Sequence, residues 1–287
     1  MVQKDAQLKP LFPDAALLLR EELENVLVVS DLHIGWEVAL AEEGIHLPSQ
    51  TEKLSARLQK LIASEKPDRL IVLGDVKHTV AKIELEEWRD VPSFFEETSR
   101  LVPRVQVVPG NHDGNLEALL PETVEVLSPH GVVLGDVGLF HGHTWPDAKM
   151  LGCNTLVAGH VHPMVVFEDP MGFRISRQVW VRASCDRKLL AKFVLRRSNV
   201  RLKQDEDPRG ALKRRLNIDL KAANLLIMPS FNDFLGGQAV NRPAITKQKK
   251  FNEFIGPVLR SGSVNLERAE AYLLDGTFLG ALDRLRS

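Results

Sequence analysis

Short runs of β-branched and aliphatic residues alternate along the chain with longer stretches of mixed polarity. "NVLVVS" (25–30), "RLIVLG" (69–74), "RVQVVPG" (104–110), "GLFHG" (138–142) and "NTLVAG" (154–159) are too apolar for half-exposed strands and read as buried ones. Between the first two, "SQTEKLSARLQKLIASE" (49–65) has helical periodicity, with Ser49 and Glu52 spaced as a capping box. "VPSFFEETSRL" (91–101) predicts another helix. From 163 onward the pattern changes to strand-like "MVVFE", "QVWVRA" and "LLAKFVL" with no long helix between them, which suggests a second, more antiparallel sheet. "AYLLDGTFLG" (271–280) predicts a hairpin closed at Asp275-Gly276. No internal repeat or low-complexity segment interrupts the pattern.

Composition narrows the class without naming it. A chain of 287 residues buries a sizeable core, as one large domain or as one domain with an appendage. With 44% hydrophobic and 26% charged residues it has the make-up of an ordinary soluble globular protein. A net charge of -1 demands neither nucleic acid nor an anionic membrane. The polar start "MVQKDAQLKP" has no signal-peptide character, and no uncharged run approaches the roughly 18–20 residues that span a bilayer. Cys153 and Cys185 lack metal-finger spacing and read as reduced, half-buried thiols of a cytoplasmic protein, rather than as a disulfide or a nucleophile.

The chemistry sits where the strands stop. Asp31 and His33 follow the first strand; Asp75 follows the second, with His78 three residues on. Asn111, His112 and Asp113 follow the third, His141 and His143 the fourth, and His160 and His162 the fifth. In open α/β sheets ligands collect outside the carboxyl ends of the strands, so residues far apart in sequence are expected to converge there. A turn explains any one of these clusters, since Asn, Asp and Gly favour turns and caps; five in succession argue for a site. Carboxylates, imidazoles and a carboxamide without thiolate suit Mn²⁺, Fe or Zn²⁺. Seven strong candidates (Asp31, His33, Asp75, Asn111, His141, His160, His162) are too many for one ion and split over two, with one Asp as the bridge. Two ions about 3.5–4 Å apart stabilise both the entering and the leaving oxygen of an in-line displacement.

Taken together, Asp31-x-His33, "GDVKH" (74–78), "GNHD" (110–113), "HGH" (141–143) and "GHVH" (159–162) resemble the five signatures of the calcineurin-like metallophosphoesterases, in the family order over about 30–165. The resemblance implies a four-layer α/β/β/α sandwich with two mixed β-sheets and a dinuclear site on one edge. It gives one ion Asp31, His33, Asp75 and His162, and the other Asp75, Asn111, His141 and His160. His112 then faces the phosphate. Beside that, the residue chemistry reads Asp113 as holding the His112 imidazole or as an ordinary turn carboxylate, and His143 as supporting the ligands or as structural. One departure is His78, where the second signature commonly ends in Asp or Asn. The nuclease subunit of the double-strand-break repair complex has the same His, which tilts the expectation toward phosphodiesters and gives His78 a catalytic role.

A narrower resemblance covers nearly the whole chain. "DLHIGWE", "GDVKH", "PSFNDFLGGQAVN" (229–241) and "YLLDGTFLG" (272–280) are similar to the prokaryotic nuclease-related, or DNA-ligase-associated, phosphoesterases. That makes residues 1–287 a single metallophosphoesterase domain, with motifs at 31–162 and a family-specific extension at about 205–287. It secures the reaction type better than the target; the expected substrate is DNA (single-stranded or flapped), with repair helicase or ligase partners. The donor set points to two Mn²⁺ ions, and the lack of a long apolar run to no membrane. Residues 196–221 hold nine Lys/Arg against four acids, and "KQKK" (247–250) is a second basic cluster; each is either a solvated face or a phosphate-backbone contact. Three readings compete at this level: a DNA phosphodiesterase, a hydrolase of small phosphoesters or cyclic nucleotides or a protein phosphatase with the same metals, and a non-catalytic scaffold that binds a repair partner. The complete ligand set argues against the third.

Overall fold

The computed structural model describes residues 7–21, 24–80, 82–203, 205–242 and 256–286. The basic cluster at 247–250 therefore lies outside the described residues. The chain forms two compact units, Met1–Pro129 with Ser230–Leu235, and His130–Pro229 with Gly236–Ser287.

The first unit is built on a six-stranded sheet in the order β1-β2-β3-β4-β5-β6, comprising Gln7–Pro10, Ala16–Arg20, Asn25–Ser30, Arg69–Leu73, Arg104–Val108 and Val124–Val126. The two edge pairings at β1-β2 and β2-β3 are antiparallel, and β3 to β6 run parallel. Short helix α1 (Trp36–Glu42) follows β3, while α2 (Thr51–Glu65) and α3 (Leu85–Leu101) lie in the β3–β4 and β4–β5 connections. Leu54, Leu58, Leu61 and Ile62 of α2 and Val91, Phe94 and Phe95 of α3 recur at helical spacing and enter one core with Leu27, Val29, Leu70, Val72 and Val105.

The helix starts differ from the sequence expectation. Helix α2 begins at Thr51, behind Gln50, and the Ser49 hydroxyl lies 2.7 Å from Asp90 Oδ2 on α3 instead of closing a capping box with Glu52. A capping box does open α3, where the Glu87 carboxylate accepts from Glu84 N at 3.0 Å. In residues 85–90 the apolar Leu85 and Trp88 are exposed while Glu87 and Asp90 are buried, so an apolar-periodicity reading misses those first turns.

The second unit carries a nine-stranded mixed sheet. Its main path runs β13-β10-β11-β12-β9-β8-β7, and β14 pairs with β11 and β15. These strands are β7 (Val132–Leu134), β8 (Val137–Phe140), β9 (Thr155–Ala158), β10 (Pro163–Glu168), β11 (Arg174–Cys185), β12 (Asn224–Ile227), β13 (Gln238–Ala239), β14 (Val264–Leu273) and β15 (Phe278–Ala281). The predicted hairpin at 271–280 is the β14–β15 pairing.

One expectation fails here. "LLAKFVL" (189–195) is no strand; it lies in helix α4 (Arg187–Arg197), followed by α5 (Pro208–Leu216). Leu190, Ala191, Val194 and Leu195 fall on one helical face, and Asp186 Oδ1 caps the helix by accepting from Leu189 N at 2.9 Å. Both cysteines are free, with Cys153 buried and Cys185 half-buried. Among the described residues no helix is long and apolar enough to cross a membrane.

Candidate metal centre

Every one of the five motif strands stops at the residue before its motif, or within a residue or two of it: β3 at Ser30, β4 at Leu73, β5 at Val108, β8 at Phe140 and β9 at Ala158. Beyond the strands the backbone turns sharply. Asp31, His33, Asp75, His160 and His162 have φ of 59°, 45°, 50°, 72° and 45°, five of the ten positive-φ non-glycine residues described. A left-handed backbone costs a residue with a Cβ about 1–2 kcal/mol. Concentrating that cost on these five positions is the signature of a site that over-determines its backbone.

In the first unit the segments after β3 and β4 stay knitted together. Asp31 N donates to Gly74 O at 3.1 Å, His33 N to Asp75 O at 2.8 Å and Ile34 N to Val76 O at 2.8 Å. Asp31, His33 and Asp75 are 0%, 3% and 2% exposed. One ligand atom from each lies within 4.8 Å of the others, and His33 Nε2 is 3.5 Å from Asp75 Oδ2. The Ser30 hydroxyl is 2.5 Å from Asp31 Oδ2 and orients that carboxylate. Two buried carboxylates this close repel each other, and a divalent cation cancels that repulsion.

Gly110 makes the packing around Asp75 possible. A Cβ at 110 would stand 2.1 Å from Asp75 Oδ1 and 2.4 Å from its backbone nitrogen. His112 N donates to the same Oδ1 at 2.9 Å. Asn111 is exposed at the end of this turn. His33, His78 and His112 form a second group whose nitrogens lie within 4.8 Å of one another; the His33 and His112 rings meet edge-on at 4.7 Å.

The bonds of His112 and Asp113 have distinct jobs. His112 Nδ1 meets the carbonyl of His78. A carbonyl only accepts, so the proton is on Nδ1 and Nε2 is the other face of the ring. Asp113 is buried and accepts from Val76 N at 2.8 Å, Lys77 N at 3.3 Å and Gly110 N at 2.7 Å. Its carboxylate thus ties the "GDVKH" and "GNHD" turns together, while the partner of the His112 imidazole is the His78 carbonyl.

Three contributors were not singled out from sequence. Fully buried Glu87 on α3 accepts from His78 N at 3.0 Å and Thr79 N at 2.7 Å through Oε1. Ser230 Oγ lies 2.8 Å from Asp31 O, and Asn232 Nδ2 donates to Leu32 O at 3.0 Å. The 229–241 stretch carries a motif in sequence, but the bonds of these two residues are to backbone atoms that only the fold brings near.

In the second unit His141 is fully buried, and its ring meets that of His160 edge-on at 5.0 Å and that of His143 at 5.2 Å. One nitrogen each of His141 and His160 lies within 4.8 Å of the other. Gly159 N donates to His141 O at 2.9 Å, joining the turns after β8 and β9. Gly142 has φ 122°, and a Cβ there would stand 3.2 Å from His160 Cβ. His162 is held through its backbone, where Gln238 N donates to its carbonyl at 3.0 Å; a Cβ at Gly237 would stand 2.0 Å from that oxygen.

Atoms bound to one ion at about 2.1 Å lie no more than about 4.2 Å apart. Clusters within 4.8 Å therefore need only small side-chain adjustment to close on a metal. Carboxylate and imidazole donors, left-handed turns and the space kept by Gly110 all fit a divalent ion. The strand-end clusters on a mixed α/β fold define a metal-dependent hydrolase. Residues 24–169, half of the chain, match the calcineurin-like phosphoesterases, and the chain belongs to that family. Its two mixed sheets with helices are those expected of it. None of the curated proteins matches the chain. Among solved structures, the Pseudomonas putida nuclease MPE is 22% identical, with a TM-score of 0.52 over 96% of this chain and 100% of that one. That likeness is one of fold. Yfce, a phosphoesterase from E. coli, is 22% identical, with a TM-score of 0.33 over 50% of this chain and 73% of that one.

Proposed function

We propose that the chain is a dinuclear-metal-dependent phosphodiesterase whose substrate is DNA, cut as a single strand or flap during repair. The observation that carries the reading is the buried Asp31–His33–Asp75 cluster at the strand ends, on left-handed backbone and closed by Gly110. In the proposed assignment Asp31, His33, Asp75 and His162 hold one ion, and Asp75, Asn111, His141 and His160 the other. Such a pair, when bound, supplies Lewis acidity to the phosphoryl group and activation of water at neutral pH. Donors without thiolate favour Mn²⁺, with Fe or Zn²⁺ as substitutes.

The remaining steps belong to the chain's own side chains. With Nδ1–H donating to His78 O, the His112 ring is fixed; in the imidazolium form Nε2 would carry a second proton, the one the leaving alkoxide needs, and the ring is left neutral with Nδ1–H still on the carbonyl. Asp113 keeps the turn bearing His112 against the turn bearing Asp75 and His78. His78, pinned by Glu87 and 3.3 Å from His33 through Nδ1, is assigned to phosphodiester recognition. His143 orients His141 and His160 by ring contact. DNA as substrate is supported by His78 in place of the usual Asp or Asn, and by the fold shared with a protein that is itself a nuclease. The resemblance to the DNA-ligase-associated branch supports a repair helicase or ligase as partner, and the two free thiols support a cytoplasmic setting.

The test is a panel of Mn²⁺, Mg²⁺, Zn²⁺ and Fe²⁺ against a nitrophenyl monoester, a nitrophenyl diester, single-stranded DNA, flapped DNA and duplex DNA. Cleavage of the diester and of single-stranded or flapped DNA, highest with Mn²⁺, is expected. Turnover of the monoester alone, or equal activity with Mg²⁺, overturns the proposal, because Mg²⁺ prefers all-oxygen ligands.

A further inference from the structure

The most uneven charge in the sequence falls outside the metal-binding motifs. Residues 187–221 contain twelve lysines and arginines against four acids, a net of +8 in a chain whose total is -1. Helix α4 has five cations and no acid. Its buried face is fixed by Leu190, Ala191, Val194 and Leu195, which leaves Lys188, Lys192 and Arg196 exposed at i, i+4 and i+8 along one stripe.

The local physics opposes this arrangement. Like charges four residues apart on a helix destabilise it by a few tenths of a kcal/mol per pair. Arg187 and Lys188 add positive charge in the first turn, where the helix dipole is already positive. Arg197 and the cations ending α5 have the opposite excuse, since the dipole favours them at a C-terminus, and Arg214 and Arg215 are further tied to Glu206 at 2.7 Å. Among the described residues Lys192 and Arg196 make no ion pair, and the Lys188 contact to Asp207 at 3.7 Å joins two largely exposed groups. A solvated helix does not need such a row.

The row also leads somewhere. Phe193, next to Lys192, stacks on Trp145 at 5.8 Å with 21° between the rings. Trp145 lies two residues after His143, on the segment that begins with His141 at the end of β8. A basic stripe beside an aromatic pair is the pattern with which proteins track a single nucleic-acid strand, cations on the phosphates and rings on the bases.

We propose that the exposed face of α4, continued by Arg209 of α5, docks the phosphate backbone of a single-stranded nucleic acid and delivers it past Phe193 and Trp145 toward the segment holding His141. The proposal rests on the phosphodiesterase reading for its purpose, but binding and cleavage separate in the test. The full-length chain in EDTA, where no scission occurs, is titrated against a fluorescent single-stranded oligonucleotide at several salt concentrations. The double variant Lys192→Glu/Arg196→Glu is compared with Lys60→Glu/Arg100→Glu, which alters two exposed cations on α2 and α3.

The α4 variant is expected to bind at least about tenfold more weakly, with the slope of log affinity against log salt shallower by about 1.4, two contacts at about 0.7 each. The α2/α3 variant is expected to bind as the native chain does. A milder Lys192→Ala/Arg196→Ala chain gives the same reading if the charge-reversed one misfolds by circular dichroism. The proposal is overturned by unaltered binding in the α4 variants, by equal losses in both double variants, or by a native chain that does not bind the oligonucleotide. It is equally overturned if the native chain binds phosphatidylserine vesicles or polyglutamate as tightly. Cleavage by the native chain in Mn²⁺ is scored separately: binding through α4 without scission removes the nuclease reading and leaves the docking surface standing.

Discussion

Single atoms decide whether the turns of this chain can hold a metal. Gly110 is the sharpest case, because a methyl group there would collide with the Asp75 carboxylate and its backbone nitrogen together. Gly110→Ala should lower bound metal and reduce turnover by about a hundredfold or more, of the order seen when a 1 Å displacement misplaces a catalytic group; elemental analysis and diester kinetics check both. His112→Ala should behave differently. It should keep its metal while losing about 10²–10⁴-fold on DNA, and lose less on a nitrophenyl diester, whose leaving group needs no proton. Equal losses on both substrates, or a missing metal, would remove the general-acid role. The thiols offer a test of burial alone. Burial pushes Cys153 and Cys185 from the ordinary 9.0 up to about 11. At pH 8 both should resist alkylation in the native chain and react after denaturation, since the thiolate is the nucleophile. Their contribution to stability is intact below pH 9.0 and lost as the pH rises toward about 11, because the unfolded chain ionises first.

At the level of elements, the turns after β3, β4 and β5 are held by side chains borrowed from elsewhere in the unit. The start of α3 supplies Glu87, whose carboxylate takes backbone amides at 78, 79 and 84. Glu87→Gln keeps the shape but turns one acceptor oxygen into a donor facing an amide. It should cost about 1–3 kcal/mol, the penalty for a buried hydrogen bond left unmade, measured by denaturant unfolding. A loss below about 0.5 kcal/mol would mean that the loop relaxes without it. The left-handed turns could not be read from local propensity, since His and Asp do not announce a positive φ. Helix α4 was misread for a related reason: a short apolar run fits either a strand or a helix face, and only the Asp186 cap and the packing of Leu190 and Val194 decide.

For the whole molecule a bound metal would add to the stability. Two buried carboxylates within one cluster, Asp31 and Asp75, gain from a bound cation, and whatever binds the folded chain alone stabilises it by mass action. Chelation should therefore lower the melting temperature by about 5 °C or more, as about 2–3 kcal/mol would in a chain of this size. Asp75→Ala should abolish the response to added Mn²⁺. A melting temperature indifferent to EDTA would show that the turns are held without metal.

The order of the motifs along the chain was determined by the sequence itself: strand, metal-capable residue, five times over. The five β-branched runs before the motifs are buried strands, and the chemistry is written at their ends. Charge counting likewise exposed the basic stretch at 196–221. What only the tertiary structure decided is which groups meet. Asp113 bonds backbone amides 36 and 37 residues away, and Ser230 reaches the Asp31 carbonyl across 199 residues. Gly110 is a turn residue in sequence and a space reserved for a carboxylate in three dimensions. The same step set Lys188, Lys192 and Arg196 in one exposed row, because a helix repeats every 3.6 residues and a sequence count has no faces.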